Sequence, residues 1–191
     1  MDSTALPFLT VAELSRLIKQ REVSPVEVVQ AYLDRIDQVD GKLNSYITVC
    51  RDEALAEAKQ AEKEIAAGNY RGPMHGLPVA VKDQFYTKGI RTTGGSAILK
   101  DLVPNEDATV VANLKAAGSV LLGKLNMSEY AMGDAFFHPF GTPHNPWDLS
   151  RNPGTSSSGS GAATAAFLCA TSLGEDTGGS IRGPASFCGL V

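Results

Sequence analysis

Apolar positions recur every three to four residues over the first 70 residues of the chain, which is the spacing of amphipathic helices. A capping box formed by Thr10 and Glu13 predicts that one helix begins near residue 11. Ser24, with a proline directly after it, predicts the start of a second helix. A third helix is expected over about residues 52–67, because a glycine follows in the C-cap position. We therefore expect residues 1–70 to form an N-terminal helical layer of the same domain as the rest of the chain.

Continuous apolar runs replace this helical spacing after residue 72, and such runs are typical of buried strands. Residues 136–160 are rich in Pro, Gly, Asn and Ser and are expected to form loop. The strand–helix–strand order predicts an α/β core over residues 71–191. The expected elements are strands at Leu77–Val81 and Val120–Leu122, a helix from Asp107 through Ala117, and a helix of small residues at Ala162–Ala170.

Composition narrows the class of protein. The chain has 191 residues, of which 43% are hydrophobic and 20% are charged, as in an ordinary soluble globular protein. A net charge of −4 argues against nucleic acid or an anionic membrane surface as the main partner. No apolar run approaches the ~18 residues of a membrane helix. The three cysteines are odd in number and lack metal-ligand spacing, so we expect reduced thiols in a cytoplasmic protein that uses no metal or other cofactor.

Three segments contain residue types that can do chemistry. Lys82 ends the first apolar strand, where lost solvation would lower its pKa and make it a base. Taken alone, however, the segment favours an ordinary surface lysine at the exit of a strand. The serine- and glycine-rich run Gly154–Gly161 could bind an anion at a helix start, or serve as a linker. In Asp176–Arg182, two glycines before Ser180 allow a turn that aims successive N–H groups at one point, as an oxyanion hole requires; alone, it is equally a glycine-rich turn.

Together these segments resemble the amidase signature family, whose serine hydrolases use a Ser–Ser–Lys triad. The family pattern P-G-G-S-S-G-G-S corresponds to P-G-T-S-S-S-G-S from Pro153, and G-x-D-T-G-G-S-I-R-x-P-A to G-E-D-T-G-G-S-I-R-G-P-A from Gly174. Lys82 lies in H-G-L-P-V-A-V-K-D, which is similar to the family's strand motif. Further resemblance covers residues 91–96, 107–111, 122–127 and 145–148. The resemblance implies the N-terminal part of the amidase signature fold, a central mixed sheet flanked by helices.

The resemblance also implies roles for individual residues. Ser180 corresponds to the nucleophile that forms an acyl-enzyme, and Ser156 to the bridging serine, which in this family follows a cis peptide bond. Lys82 corresponds to the terminal base. The oxyanion hole would consist of the backbone N–H groups of Thr177, Gly178, Gly179 and Ser180.

Two residues and the length depart from the family pattern. Thr155 and Ser158 stand where the family has glycines. Family members are more than twice as long as this chain, and the chain ends in the apolar run Phe187–Val191. We therefore expect a truncated fragment that contains the triad but lacks most of the substrate pocket and several strands.

The function expected first is that of an amidase, which hydrolyses a small-molecule amide to an acid and an amine or ammonia. A second possibility is the glutamine-hydrolysing A subunit of a tRNA-dependent amidotransferase, which would work beside partner subunits and not contact nucleic acid directly. The apolar Phe136-Phe137 and the changes in the serine run favour the general amidase. A third possibility is a non-catalytic, amidase-like subunit, against which the intact Lys82, Ser156 and Ser180 argue. A homodimer is also compatible with the sequence.

Overall fold

The computed structural model of the protein describes residues 2–132 and 136–191, which contain six α-helices and four β-strands. The helices are α1 (Val11–Gln20), α2 (Pro25–Leu43), α3 (Arg51–Ala66), α4 (Thr109–Ala116), α5 (Ser158–Ala165) and α6 (Arg182–Cys188). The strands are β1 (Tyr46–Val49), β2 (Pro78–Lys82), β3 (Val120–Leu125) and β4 (Thr171–Leu173). Short 3₁₀ helices lie at Ser3–Phe8, Ala97–Leu99 and Glu129–Ala131. The predicted α/β class is confirmed.

The three N-terminal helices begin and end where the local signals predict. Thr10 and Ser24 each accept a hydrogen bond from the backbone of a glutamate three residues later, and each glutamate side chain bonds back to the cap. These reciprocal bonds satisfy N–H groups that a helix start leaves without partners. Gly68, just after α3, has φ +86°, a left-handed conformation that glycine adopts without strain.

The four strands form a mixed sheet in the order β1–β3–β2–β4. β2 is parallel to both β3 and β4, whereas β1 is antiparallel to β3. Every residue of the two central strands is buried, and the main core packs α1, α2, α3 and α5 against them. Because the parallel strands end at the same edge, Lys82 at the end of β2 lies close to the loop that follows β4. In α/β sheets this edge is where ligands bind.

The helix expected from Asp107 through Ala117 is shorter at its start, and the expected cap is wrong. α4 begins at Thr109, and Ala108, which has no side chain able to cap, occupies the N-cap position. The Asp107 carboxylate is used elsewhere: it accepts hydrogen bonds from Lys115 Nζ at 2.8 and 2.9 Å and from the Lys88 N–H at 2.8 Å. The carboxylate therefore pairs with a lysine in the last turn of the same helix and does not cap the start of that helix.

The helix of small residues expected at Ala162–Ala170 is also wrong in its bounds. α5 begins four residues earlier, inside the serine- and glycine-rich run, and ends at Ala165. Glycine and serine are poor helix formers, but Gly159 packs directly on the backbone of Ser45 and Asn126, where a Cβ has no room. Tertiary contacts therefore override the low helix propensity of these residues. Because α5 ends at Ala165, the residues that follow can form β4.

Three short elements were not predicted. β1 has only four residues, Y-I-T-V, which are of strand-forming types but too few to signal a strand alone. β4 has three residues, of which two are polar. α6 follows the glycine-rich turn without a side-chain cap. Because β1 lies before residue 70, the N-terminal layer contains a strand as well as helices, and the boundary at residue 70 stays a prediction. In the described residues, no helix has the length and apolar character needed to cross a membrane.

Candidate active site

Lys82 lies at the carboxyl end of β2 and is fully buried. Its Nζ donates a hydrogen bond to Ser156 Oγ over 2.7 Å, and Glu175 Oε2 lies 3.6 Å from the same nitrogen. Burial lowers the pKa of the Lys82 ammonium, and the Glu175 carboxylate opposes part of this shift because it stabilises the charged form. Lys82 therefore loses its proton at lower pH than a surface lysine does, and its neutral amine forms more readily. A surface lysine, the alternative weighed from the sequence, is excluded.

The serine-rich run is fixed by contacts with the loop that follows β3. The Ser128 N–H donates to the Ser156 carbonyl at 3.3 Å, and the Gly159 N–H donates to the Asn126 carbonyl at 2.8 Å. The peptide bond between Thr155 and Ser156 is cis, as the family resemblance implies. The run is an ordered wall of the site, and the alternative of a flexible linker is wrong.

Asp176 organises the glycine-rich turn between β4 and α6. Its carboxylate accepts hydrogen bonds from the backbone N–H groups of Gly179 at 2.6 Å and of Ile181 and Arg182 at 3.0 Å. The Arg182 guanidinium binds the same carboxylate through Nε at 3.0 Å and Nη2 at 2.9 Å. The Arg182 side chain, followed by these N–H donors, holds the pKa of the Asp176 carboxyl well below its usual range. No role was predicted for Asp176 from the sequence, although its position just before the paired glycines Gly178-Gly179 was the available signal.

The turn presents backbone donors beside Ser180. Of the four N–H groups expected to form an oxyanion hole, that of Gly179 already donates to Asp176. Those of Thr177, Gly178 and Ser180 have no hydrogen-bond acceptor within the described part of the chain. Three of the four donors are thus available to a ligand in this arrangement.

Ser180 lies next to Ser156, but the two hydroxyls are not hydrogen-bonded. The Ser180 carbonyl accepts a hydrogen bond from the Ser157 N–H at 3.1 Å, which joins the turn to the serine-rich run. Among residues 2–132 and 136–191, no hydrogen bond links Ser156 Oγ to Ser180 Oγ. The structure therefore brings Lys82 and Ser156 into direct contact and leaves Ser180 on the adjoining wall, partly exposed.

A cavity of about 950 Å³ opens in front of these residues. Its floor is the glycine-rich turn, and aromatic and aliphatic side chains lie around it. Glu175 is the one charged residue among the described residues that line it. The described lining residues are Gln84, Tyr86, Thr92, Gly94, Leu99, Tyr130, Ala131, Met132, Thr155, Glu175, Thr177, Gly178, Gly179, Ser180 and Gly183.

Sequence reasoning missed two charged residues near the site. Glu175 occupies a position that the family pattern leaves open, so no motif drew attention to it. Lys124 is a second fully buried lysine, on β3 opposite Val81 of β2. It pairs with the buried carboxylate of Asp83 at 3.3 Å. A lysine within the apolar strand V-L-L-G-K-L was the available signal.

Comparison with known proteins extends over nearly the whole chain. The family profile described as Amidase matches residues 27–191. The A subunit of glutamyl-tRNA(Gln) amidotransferase from Geobacter sp. (strain M21) is 54% identical over 184 residues, which are 96% of this chain and 38% of that protein. The same subunit from Moorella thermoacetica is 50% identical over 187 residues, 97% of this chain and 38% of that protein.

Solved structures share the same architecture. A structure described as an unexpected vestigial protein complex that reveals the evolutionary origins of an s-triazine catabolic enzyme matches with a TM-score of 0.91 and 42% identity, over 95% of this chain and 40% of that chain. Native peptide amidase from Stenotrophomonas maltophilia matches with a TM-score of 0.89 and 36% identity, over 94% of this chain and 38% of that chain. This chain thus spans about 38% of the length of the curated relatives above. By its profile match and by these relatives, the chain belongs to the amidase signature family.

Proposed function

We propose that the chain carries the catalytic centre of an amidase, which hydrolyses a carboxylic amide to an acid and an amine or ammonia. The observation that carries this proposal is the 2.7 Å hydrogen bond between the buried Lys82 Nζ and Ser156 Oγ, beside a turn with available N–H donors. A buried lysine with a lowered pKa, bound to a hydroxyl, is a means of activating a serine nucleophile.

In the proposed reaction, Ser180 Oγ attacks the amide carbonyl carbon. Its proton passes to Ser156 Oγ as the proton of Ser156 passes to the neutral amine of Lys82. The C–N bond then breaks, the proton returns along the same path to the leaving amine, and an acyl group remains on Ser180. Water, activated by the same base, releases the acid. The path requires a contact between Ser156 and Ser180 that forms when substrate binds, because catalytic hydrogen bonds commonly tighten only in the complex.

The negative charge that develops on the carbonyl oxygen needs donors already in place. The backbone N–H groups of Thr177, Gly178 and Ser180 have no other acceptor among the described residues, so they are suited to this role. The Gly179 N–H would contribute only after it leaves Asp176. We therefore assign the oxyanion hole first to the other three groups.

Covalent labelling with an alkyl fluorophosphonate tests this proposal. A live serine nucleophile displaces fluoride from phosphorus, and the bond from Oγ to phosphorus can be located by peptide mass spectrometry. In protein expressed from its complete open reading frame, we expect an adduct on Ser180 that Ser180→Ala abolishes. Ser186→Ala, which changes an exposed serine on α6, is the matched control and should label normally. Absence of labelling in the wild-type protein would contradict the proposal and favour a non-catalytic subunit.

A second candidate is the glutamine-hydrolysing A subunit of a tRNA-dependent amidotransferase. The 54% identity to such a subunit over 96% of this chain favours it. It uses the same proposed chemistry on glutamine, with partner subunits in a cytoplasmic complex. Ammonia release from glutamine that rises when the partner subunits are added would support this candidate. Turnover of simple amides by the protein alone, whether as monomer or homodimer, would support the general amidase.

A further inference from the structure

Glu175 places a fixed negative charge at the wall of the cavity. Its Oε1 accepts a hydrogen bond from Thr177 Oγ1 at 2.6 Å, and its Oε2 lies 3.6 Å from Lys82 Nζ. Its main-chain carbonyl also accepts a hydrogen bond from Ser157 Oγ at 3.3 Å. The side chain is 32% exposed, so the carboxylate is held in place and still faces the cavity.

The charge around the site depends on the form of Lys82. When Lys82 is an ammonium, it balances Glu175. When Lys82 is neutral, which is the form that the proposed reaction requires, the Glu175 charge has no such partner. The charge of Asp176 does not add to that of Glu175, because the Arg182 guanidinium binds the Asp176 carboxylate through two nitrogens. The other described residues that line the cavity are uncharged. When Lys82 is neutral, the described part of the cavity wall therefore carries a net negative charge, which comes from Glu175.

We propose that Glu175 determines specificity, favouring amides that carry a neutral or positively charged group near the scissile bond and disfavouring those with a carboxylate there. This inference rests on the proposed function, since it assumes that the reaction occurs at Ser180. A charge held in a partly enclosed site attracts or repels a substrate charge more strongly than a charge in bulk water. Such like-charge repulsion is a common means of rejecting a substrate.

The test uses three alkyl fluorophosphonates of equal chain length, which end in a trimethylammonium, a hydroxyl or a carboxylate group. The quantity measured is the second-order rate constant for labelling of Ser180 at low ionic strength, in protein from the complete open reading frame. We expect the cationic probe to react fastest and the anionic probe slowest, with a ratio of about tenfold between them. Glu175→Gln, which keeps the size of the side chain, should bring this ratio close to one.

The control separates a local effect from one of net charge. Glu106 is exposed and does not line the cavity, so Glu106→Gln removes the same unit of charge and should leave the ratio unchanged. A second measurement needs no variant: raising the salt concentration should reduce the wild-type ratio, because ions screen the charge of Glu175.

The outcomes distinguish this inference from the proposed function. Wild-type protein that labels at Ser180 with equal rates for the cationic and anionic probes overturns the inference and leaves the proposed function standing. A ratio that persists in Glu175→Gln, or that falls equally in Glu106→Gln, also overturns the inference alone. Wild-type protein that none of the three probes labels contradicts the proposed function, and the inference with it.

Discussion

The surroundings of Lys82 and of Lys124 differ, although the two residues share nearly every other property. Both lie near the ends of neighbouring parallel strands, and both are fully buried. Burial lowers the pKa of each ammonium as the largest cause. Lys124 donates hydrogen bonds to the Phe85 carbonyl at 2.8 Å and to Thr92 Oγ1 at 2.7 Å, and it pairs with the buried carboxylate of Asp83.

Lys82 has a different set of partners. Its main partner is the Ser156 hydroxyl, and its carboxylate neighbour Glu175 faces the cavity and is not buried. Both lysines bond a hydroxyl, but Thr92 Oγ1 donates its own proton to the Ile90 carbonyl at 3.1 Å. Ser156 Oγ has no such acceptor among the described residues, so its proton is available for transfer. Burial and a lowered pKa therefore do not by themselves identify a catalytic base. The hydrogen-bond partners separate the two lysines. Lys124 is paired with a buried carboxylate, whereas Lys82 is placed to exchange a proton with a serine.

The largest expected effect is a loss of labelling rate that occurs when Lys82 is replaced and not when Lys124 is replaced. Lys82→Ala should reduce the rate of Ser180 labelling about 10²- to 10⁴-fold, which is the range that general base catalysis contributes. Lys124→Met, which keeps an unbranched side chain, should retain most of the labelling rate in the fraction of protein that is folded. Labelling rates measured at one pH check this. Equal losses in the two variants would contradict the distinction between them.

The second effect separates the lysines by stability. Lys124→Met leaves the Asp83 carboxylate buried without its counter-charge, so we expect the free energy of unfolding to fall by about 3–5 kcal/mol. Denaturant titration measures this change. The double variant Asp83→Asn/Lys124→Met should lose less than the sum of the two single variants, because the unpaired charge is gone. Strict additivity would show that the two residues are not coupled.

Local signals in the sequence account for much of the fold but less of the site. Thr10 and Ser24 predict the starts of their helices because each capping residue and its glutamate partner lie within one helical turn. β4 gave no such signal, since its pairing with β2 comes from residues some ninety positions away in sequence. The start of α5 at Ser158 also depends on distant residues, because Gly159 fits against Ser45 and Asn126, and Gly161 fits against Pro184.

The site shows the same division. Lys82, Ser156 and Ser180 were named from motifs, and the structure places them at one edge of the sheet. Glu175 lies where the motif allows any residue, and its importance depends on a side chain that belongs to another strand. Lys124 could be suspected from its apolar strand, but its partner could not be identified without the fold. Motifs thus indicate the chemistry, whereas the charges around it depend on tertiary contacts.

Ser156→Ala should have an effect of intermediate size on the labelling of Ser180. It removes the hydroxyl that Lys82 contacts at the edge of the cavity but leaves the nucleophile and the N–H donors in place. We expect labelling of Ser180 to slow about 10²-fold, with each tenfold corresponding to ~1.4 kcal/mol of barrier. Because the residues act as a unit, adding Lys82→Ala should cost much less than that change does alone, and additive losses would contradict a shared proton path.

The smallest effect concerns the pH dependence that Glu175 sets. Its carboxylate stabilises the Lys82 ammonium and so raises the pKa of that group, against the larger effect of burial. Removing the charge in Glu175→Gln should lower the Lys82 pKa further, so the neutral base forms at lower pH. The ascending limb of the labelling rate against pH should therefore move to lower pH. Glu106→Gln should leave the limb in place, and a shift to higher pH in Glu175→Gln would contradict the account.

The most direct test of the central claim, that Lys82 and not Lys124 acts as the base, is the labelling rate of Ser180 measured across pH. In the wild-type protein the rate should rise as pH increases through the lowered pKa of Lys82, because deprotonation creates the base. This ascending limb should disappear in Lys82→Ala and persist in Lys124→Met. An unchanged limb in Lys82→Ala, or its loss only in Lys124→Met, would contradict the claim.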